Sequence, residues 1–240
     1  INESIGGGLH TGQIGCIAAR PGRGKSTVMV WLIEALLQKH TEEKVGLFSF
    51  EMTARDIGKK LTDRLLLRQV ARKSAAALYG AINSHADLLQ RLYIDERSGL
   101  EVEEIIGQAD KMAAEGCRVF FIDYVQRVKV GDVAPEAMRL AYGHVVEALT
   151  QDAKHKDRVW IILSQFSRAA EGRPGTMADL KETSAIEENA FFILGLHRPV
   201  TAVAEQGPPR LHPTRLEIHV LKNRFGAVGG VYSYEADWPH

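Results

Sequence analysis

The run Ala19-Arg20-Pro21-Gly22-Arg23-Gly24-Lys25-Ser26-Thr27 places small residues, a lysine and two hydroxyls at a spacing suited to wrapping a polyphosphate. Glycines let the main chain turn tightly enough for successive N–H groups to face one anion, and a helix starting at the hydroxyls adds its positive end. Lys25 then reaches the β- and γ-phosphates as a point charge, and the Ser26 hydroxyl binds Mg²⁺. The first position of the motif is Ala19 where glycine is usual; alanine still allows a tight turn but gives up a positive φ. A merely solvated Gly-rich turn is the competing explanation. The apolar run Ile14–Ala18 before it and the helix-like run Ser26–Gln38 after it favour the phosphate loop.

Three further polar side chains end apolar runs. Val119-Phe120-Phe121-Ile122 leads to Asp123, which either supports Mg²⁺ through water beside the loop or simply starts a turn. Phe48-Ser49-Phe50 leads to Glu51, and in a parallel sheet it emerges at the same edge as Asp123. Glu51 is then the group that orients or deprotonates an attacking water, or else a carboxylate favoured by the dipole of a following helix. Val159 to Ser164 leads to Gln165, a γ-phosphate sensor or an ordinary strand end. Lys222 and Arg224, two apart on a late strand, point to one side of it with no evident local partner. They are either a solvated strand end or charge delivered to the phosphates of a neighbouring subunit.

The elements that must position these groups alternate along the chain. Strand-like runs are Ile14–Ala18, Val45–Phe50, Leu92–Ile94, Val119–Ile122, Val159–Leu163, Ala190–Leu196, Arg215–Leu221 and Gly230–Tyr234. Helical runs are Ser26–Gln38, Ala54–Val70, Val102–Glu115 and Glu136–Lys154, with apolar residues three and four apart, and Thr53 with Asp56 reads as a capping box for the second. The alternation predicts an α/β fold, a mainly parallel sheet flanked by helices on both faces. The last two strands have only the turn-like stretch 223–230 between them, which predicts antiparallel strands at the C-terminal end. Residues 168–183 and 198–213 read as long loops. With no internal repeat or domain boundary, residues 1–240 are expected to form a single domain.

Composition narrows the setting. The 240 residues are 45% hydrophobic, enough for a substantial core. Lys plus Arg equal Asp plus Glu at 30 each, so polyanion binding has to come from local loops rather than a broad basic face. Cys16 and Cys117 lie in apolar runs without metal-ligand spacing and read as buried hydrophobes in a reducing compartment. No apolar run approaches bilayer length and no signal peptide opens the chain, so a soluble, cytoplasmic protein with no membrane partner is expected. Because the chain begins at Ile1 with the phosphate loop close behind, a preceding segment is expected as well.

Six motifs in order resemble the motor domain of DnaB-type replicative helicases. They are 19–27, Phe48 to Met52, Phe121 to Gln126, Leu163 to Arg168, Asp179 to Glu187, and Lys222-Asn223-Arg224-Phe225-Gly226. The resemblance implies a RecA-like core that hydrolyses ATP with Mg²⁺ and assembles as a homohexamer on single-stranded DNA. It would move 5′ to 3′, separate the duplex, and meet a primase and a helicase loader. It makes Glu51 the catalytic carboxylate, Asp123 the metal support, Gln165 the sensor, and Lys222 with Arg224 the pair acting in trans. It places DNA contacts at Lys181, Glu182 and Ser184, where lysine and serine stand for the family's arginine and glycine. It also implies an amino-terminal domain and linker helix outside these residues. Two rivals remain at this stage: a RecA- or clock-type ATPase that does not unwind, and a non-catalytic ATP-binding accessory factor.

Overall fold

The computed structural model describes residues 8, 10–69, 80, 83, 86–180, 184–200 and 211–235. Its strands are β1 (Gln13–Ala19), β2 (Lys44–Ser49), β3 (Leu92–Asp95), β4 (Cys117–Asp123), β5 (Val159–Gln165), β6 (Phe192–His197), β7 (Arg215–Asn223) and β8 (Val231–Glu235). They form one sheet in the order β3-β2-β4-β5-β1-β6-β7-β8. The six strands from β3 to β6 in that order run parallel, and β7 and β8 pair antiparallel. The helices are α1 (Lys25–Lys39), α2 (Ala54–Gln69), α3 (Ala86–Gln90), α4 (Val102–Ala114), α5 (Met138–His155) and α6 (Ser184–Asn189).

The strand sequences explain this arrangement. Every residue of β1 is buried, so it reads as an unbroken run of Gln-Ile-Gly-Cys-Ile-Ala-Ala, suited to a strand covered on both faces. β7 instead buries alternate residues, Leu216, Ile218 and Val220, as an antiparallel strand with one wet face does. One apolar layer, with Met29, Ile33, Leu37, Ile57 and Leu61, seats α1 and α2. The other, with Ile105, Met112, Val146, Leu149 and Trp160, seats α4 and α5. Cys16 and Cys117 are buried and free, and burial pushes the Cys117 thiol up to about 11.

Several boundaries shift for local reasons. β6 starts at Phe192 rather than Ala190, because the Ala190 N–H closes the last turn of α6 on Ile186 O at 2.9 Å. The helical run expected from Glu136 opens as a 3₁₀ turn, Pro135–Ala137, whose proline has no N–H to lose at a helix start, and α5 proper follows it. The short α3 was not among the expected helices, and Val70 lies outside the described residues. At α2 the Asp56 N–H donates to Thr53 Oγ1 (3.2 Å), and the Ala54 N–H donates to Glu96 (2.5 Å), a second cap from across the β3 end.

Trp160 is the largest buried side chain of the second layer. Its ring sits 4.9 Å from that of Phe120 and 5.9 Å from that of Phe48, and its Nε1–H donates to Asp152 at 2.8 Å. Trp160→Ala removes that packing and leaves Asp152 short of a donor, so a loss of about 3–5 kcal/mol is expected. A fall in the urea midpoint at unchanged slope checks this.

Candidate active site

Ala19 is the last residue of β1, paired with Gln165 on β5 and Leu196 on β6. It is extended strand, so the glycine missing from this position is not needed for a positive φ. The turn comes later, where Gly22 (φ 70°) and Gly24 (φ 94°) both occupy the left-handed region. Gly24 is the N-cap of α1; no side chain caps it and no acid sits in the first turn. The first N–H groups of α1 therefore stay available to an anion.

The strand carrying Asp123 is not next to the phosphate-loop strand; β5 lies between them. Even so, the Ser26 hydroxyl donates to Asp123 Oδ2 at 2.6 Å. The other carboxylate oxygen, Oδ1, is buried with no hydrogen-bond partner among the described residues. Burial raises the Asp123 pKa, with the Ser26 hydrogen bond and Lys25 opposing it. Burial likewise lowers the Lys25 pKa, opposed by Asp123 and Glu51. The Lys25 ammonium lies 4.4 Å from the centre of the Tyr124 ring. A buried cation thus faces the space beside the loop, with a buried, unsatisfied carboxylate oxygen behind the Ser26 hydroxyl. Ser26 and Asp123 are hard oxygen donors, the set that suits Mg²⁺ held jointly by protein and phosphate. Among the described residues no cluster of three His, Cys, Asp or Glu makes an all-protein cage.

That space is a cavity of about 430 Å³ lined by residues 20–22 and 24–27 together with Glu51 and Gln165. Most of the residues expected to form the site therefore meet. Arg23 is the exception in the loop. Its guanidinium pairs with Glu171 at 2.5 Å, and the same carboxylate takes Arg20 Nε at 2.9 Å. Glu51 stays exposed at the cavity rim and lies 3.8 Å from Arg127. Gln165 is set by Gln126, whose Oε1 accepts the Gln165 N–H (3.3 Å) while its Nε2 donates to Ser164 (2.9 Å).

Lys222 and Arg224 correct an expectation, since both have local partners. Lys222 Nζ donates to the carbonyls of Glu187 and Glu188, and Arg224 Nη2 donates to Glu188 O at 2.5 Å. These carbonyls end α6, where unpaired C=O groups attract cations. Lys222 has its pKa lowered by burial and by Arg224. Ser184 opens α6, whereas Lys181 and Glu182 lie outside the described residues. Lys60 and Arg198 also line the phosphate cavity. Neither had a motif to mark it, nor did Glu171; Tyr124 and Gln126 stood inside a motif without a role.

A glycine-rich loop at the tip of a central parallel strand, a buried carboxylate two strands away and a strand-end amide between them make a candidate nucleotide site on an α/β domain. A solved ATPase domain superposes with a TM-score of 0.78 at 22% identity, covering 98% of this chain and 88% of that one. The structure of a DnaB-like replicative helicase, described with its interactions with primase, gives 0.75 at 22% identity, covering 94% and 57%. The chain belongs to the DnaB-like helicase C terminal domain family, which matches residues 2–236. The replicative DNA helicase DnaB of Leifsonia xyli subsp. xyli is 30% identical over 98% of this chain and 54% of its own. The replicative DNA helicase DnaC of Bacillus subtilis is 25% identical over 93% and 50%. The chain spans about half the length of the curated relatives it matches.

The loop leaving Gln165 is tied down by Asp179, which takes both Arg173 nitrogens at 2.7 Å and the Thr176 N–H at 2.8 Å. Arg173 first, then Thr176, holds its carboxyl well below the usual range. That stability is present above the ordinary carboxylate pKa of about 4 and drains away as the pH falls below it. Asp179→Asn removes it at neutral pH. Amide exchange at Ser167, whose N–H donates to Asp179 O (2.8 Å), should accelerate by about an order of magnitude.

Proposed function

We propose that residues 1–240 are one motor domain of a replicative DNA helicase, which hydrolyses ATP with Mg²⁺ where subunits meet. It would translocate 5′ to 3′ on single-stranded DNA and unwind the duplex ahead. The observation that carries this reading is the Ser26–Asp123 hydrogen bond beside a buried Lys25 and an unsatisfied Asp123 Oδ1, at the tip of the phosphate-loop strand. Family membership supports the rest, as does the shared cavity of Glu51 and Gln165.

Family membership and the meeting of the loop, Glu51 and Gln165 at one cavity support the following roles. The amides of 22–27, with Arg20, Pro21 and Arg23 shaping the turn, cradle the phosphates, and Lys25 draws the β- and γ-oxygens into the cavity. Ser26 and Asp123 would hold Mg²⁺, which when bound would neutralise charge developing on the phosphate oxygens. Glu51 orients the attacking water and accepts its proton, and Gln165 contacts the terminal phosphate. Lys222 and Arg224 reach the phosphates of the adjacent subunit. Lys181, Glu182 and Ser184 hold DNA through its backbone, independent of sequence. The complete protein is a homohexamer in the cytoplasm that meets a primase and a helicase loader.

Three substitutions separate these roles. Glu51→Gln should keep ATP affinity within about twofold and lower kcat by at least 10²-fold, in an assay of phosphate release. Arg224→Ala should abolish DNA-stimulated turnover and leave ATP binding intact; full turnover in that variant sinks the trans assignment. Lys181→Ala should weaken single-strand binding and flatten its log K against log[salt] slope by roughly 0.7 for each phosphate no longer neutralised, read by fluorescence titration.

A further inference from the structure

Phe191 and Phe192 are adjacent and face opposite ways. Phe192 is buried in the core, while Phe191 turns toward the end of β7 and stays half-buried. The main chain of Phe191 is fastened on both sides. Its N–H donates to Ile14 O of β1 at 2.8 Å, and its carbonyl accepts the Arg224 N–H at 2.9 Å. The Arg224 guanidinium lies over the Phe191 ring, Cζ 4.7 Å from the ring centre. Phe225 stacks on the same ring, centre to centre 5.6 Å with 29° between planes, although the residue is 56% exposed.

This is more apparatus than an exposed arginine at a strand end requires. A guanidinium seated on an aromatic face keeps its N–H edges in plane and loses less freedom when it meets a planar anion. One edge is taken by Glu188 O and the residue remains exposed.

We propose that Phe191 is a positioning residue for Arg224, holding the guanidinium pre-oriented for a phosphate on the neighbouring subunit. This rests on the reading of Arg224 as a residue that acts in trans. Phe191 itself touches no phosphate. It links β1, the strand that carries the phosphate loop of its own subunit, to the cation offered to the next one.

Steady-state hydrolysis by the full assembly with single-stranded DNA tests this. Phe191→Leu should lower kcat roughly three- to thirtyfold, the worth of one cation–π contact, with KM for ATP and the thermal midpoint unchanged. Phe191→Tyr and Phe191→Trp should restore kcat, because they keep the aromatic face. Independently of turnover, the Arg224 side-chain protons should show an upfield ring-current shift by NMR that Phe191→Leu removes. Wild-type kcat in Phe191→Leu, or aromatic variants as slow as the leucine one, overturns the role of Phe191 alone. Turnover that survives Arg224→Ala overturns the trans reading and this role with it.

Discussion

Everything at the nucleotide edge depends on one electrostatic imbalance: Lys25 and Asp123 are both withdrawn from water, and neither makes an ion pair with the other. Burial works against both charges, lowering the pKa of the lysine and raising that of the aspartate. Ser26 relieves Asp123 at one oxygen only. A fold optimised for its own stability would close such a pair or replace it with apolar residues. Here the groups stand apart, with the Lys25 ammonium over a Tyr124 ring that attracts it without neutralising it. The arrangement becomes favourable when phosphate oxygens meet the cation and a divalent ion meets the carboxylate. Burial thus works against both charges in the absence of a ligand, and groups perturbed in this way tend to cluster at functional sites.

Holding charges apart requires a rigid frame, and the sheet order provides it. β5 separates β1 from β4, so Gln165 comes out between the phosphate loop and Asp123. Gln126 ties the tip of β5 to the turn after β4 through both ends of its amide, and Tyr142 on α5 donates to the Gln126 carbonyl at 2.9 Å. The loop that follows Gln165 returns to the phosphate loop through Glu171, which takes Arg20 and Arg23 together. Glu171 thereby joins the phosphate loop to the loop that follows Gln165.

The parallel strands were legible because strands buried on both faces must be continuously apolar, and a polar residue at the end of such a run marks the sheet edge. That logic located Glu51, Asp123 and Gln165. It did not extend to side-chain direction. Nothing near Arg23 in the chain reveals that it turns from the cavity, since its partner is 148 positions away. Lys222 and Arg224 looked unpartnered for a similar reason: their acceptors are main-chain carbonyls at a helix end, and a carbonyl carries no residue-type signal. Boundaries at α5 and β6 moved because proline chemistry and a closing helical turn decide them over a few residues, below the resolution of periodicity. Lys60 and Arg198 enter the cavity from α2 and the end of β6, and each reads locally as an ordinary solvated cation.

The cations at the far side of the sheet pose the complementary problem. Lys222 and Arg224 are bound to the carbonyl end of α6, the helix that begins at Ser184 just after the stretch assigned to DNA. Carbonyls at a helix end attract cations only modestly, whereas phosphate offers full charge and bidentate geometry to arginine. On the proposed reading, the α6 contacts would hold the pair in register and yield to a neighbour's nucleotide. Phe191 is fastened to the central strand, its N–H bonded to Ile14. Arg224 is thus held between the Phe191 ring and a helix-end carbonyl, and on the proposed reading it would exchange that carbonyl for a phosphate of the next subunit.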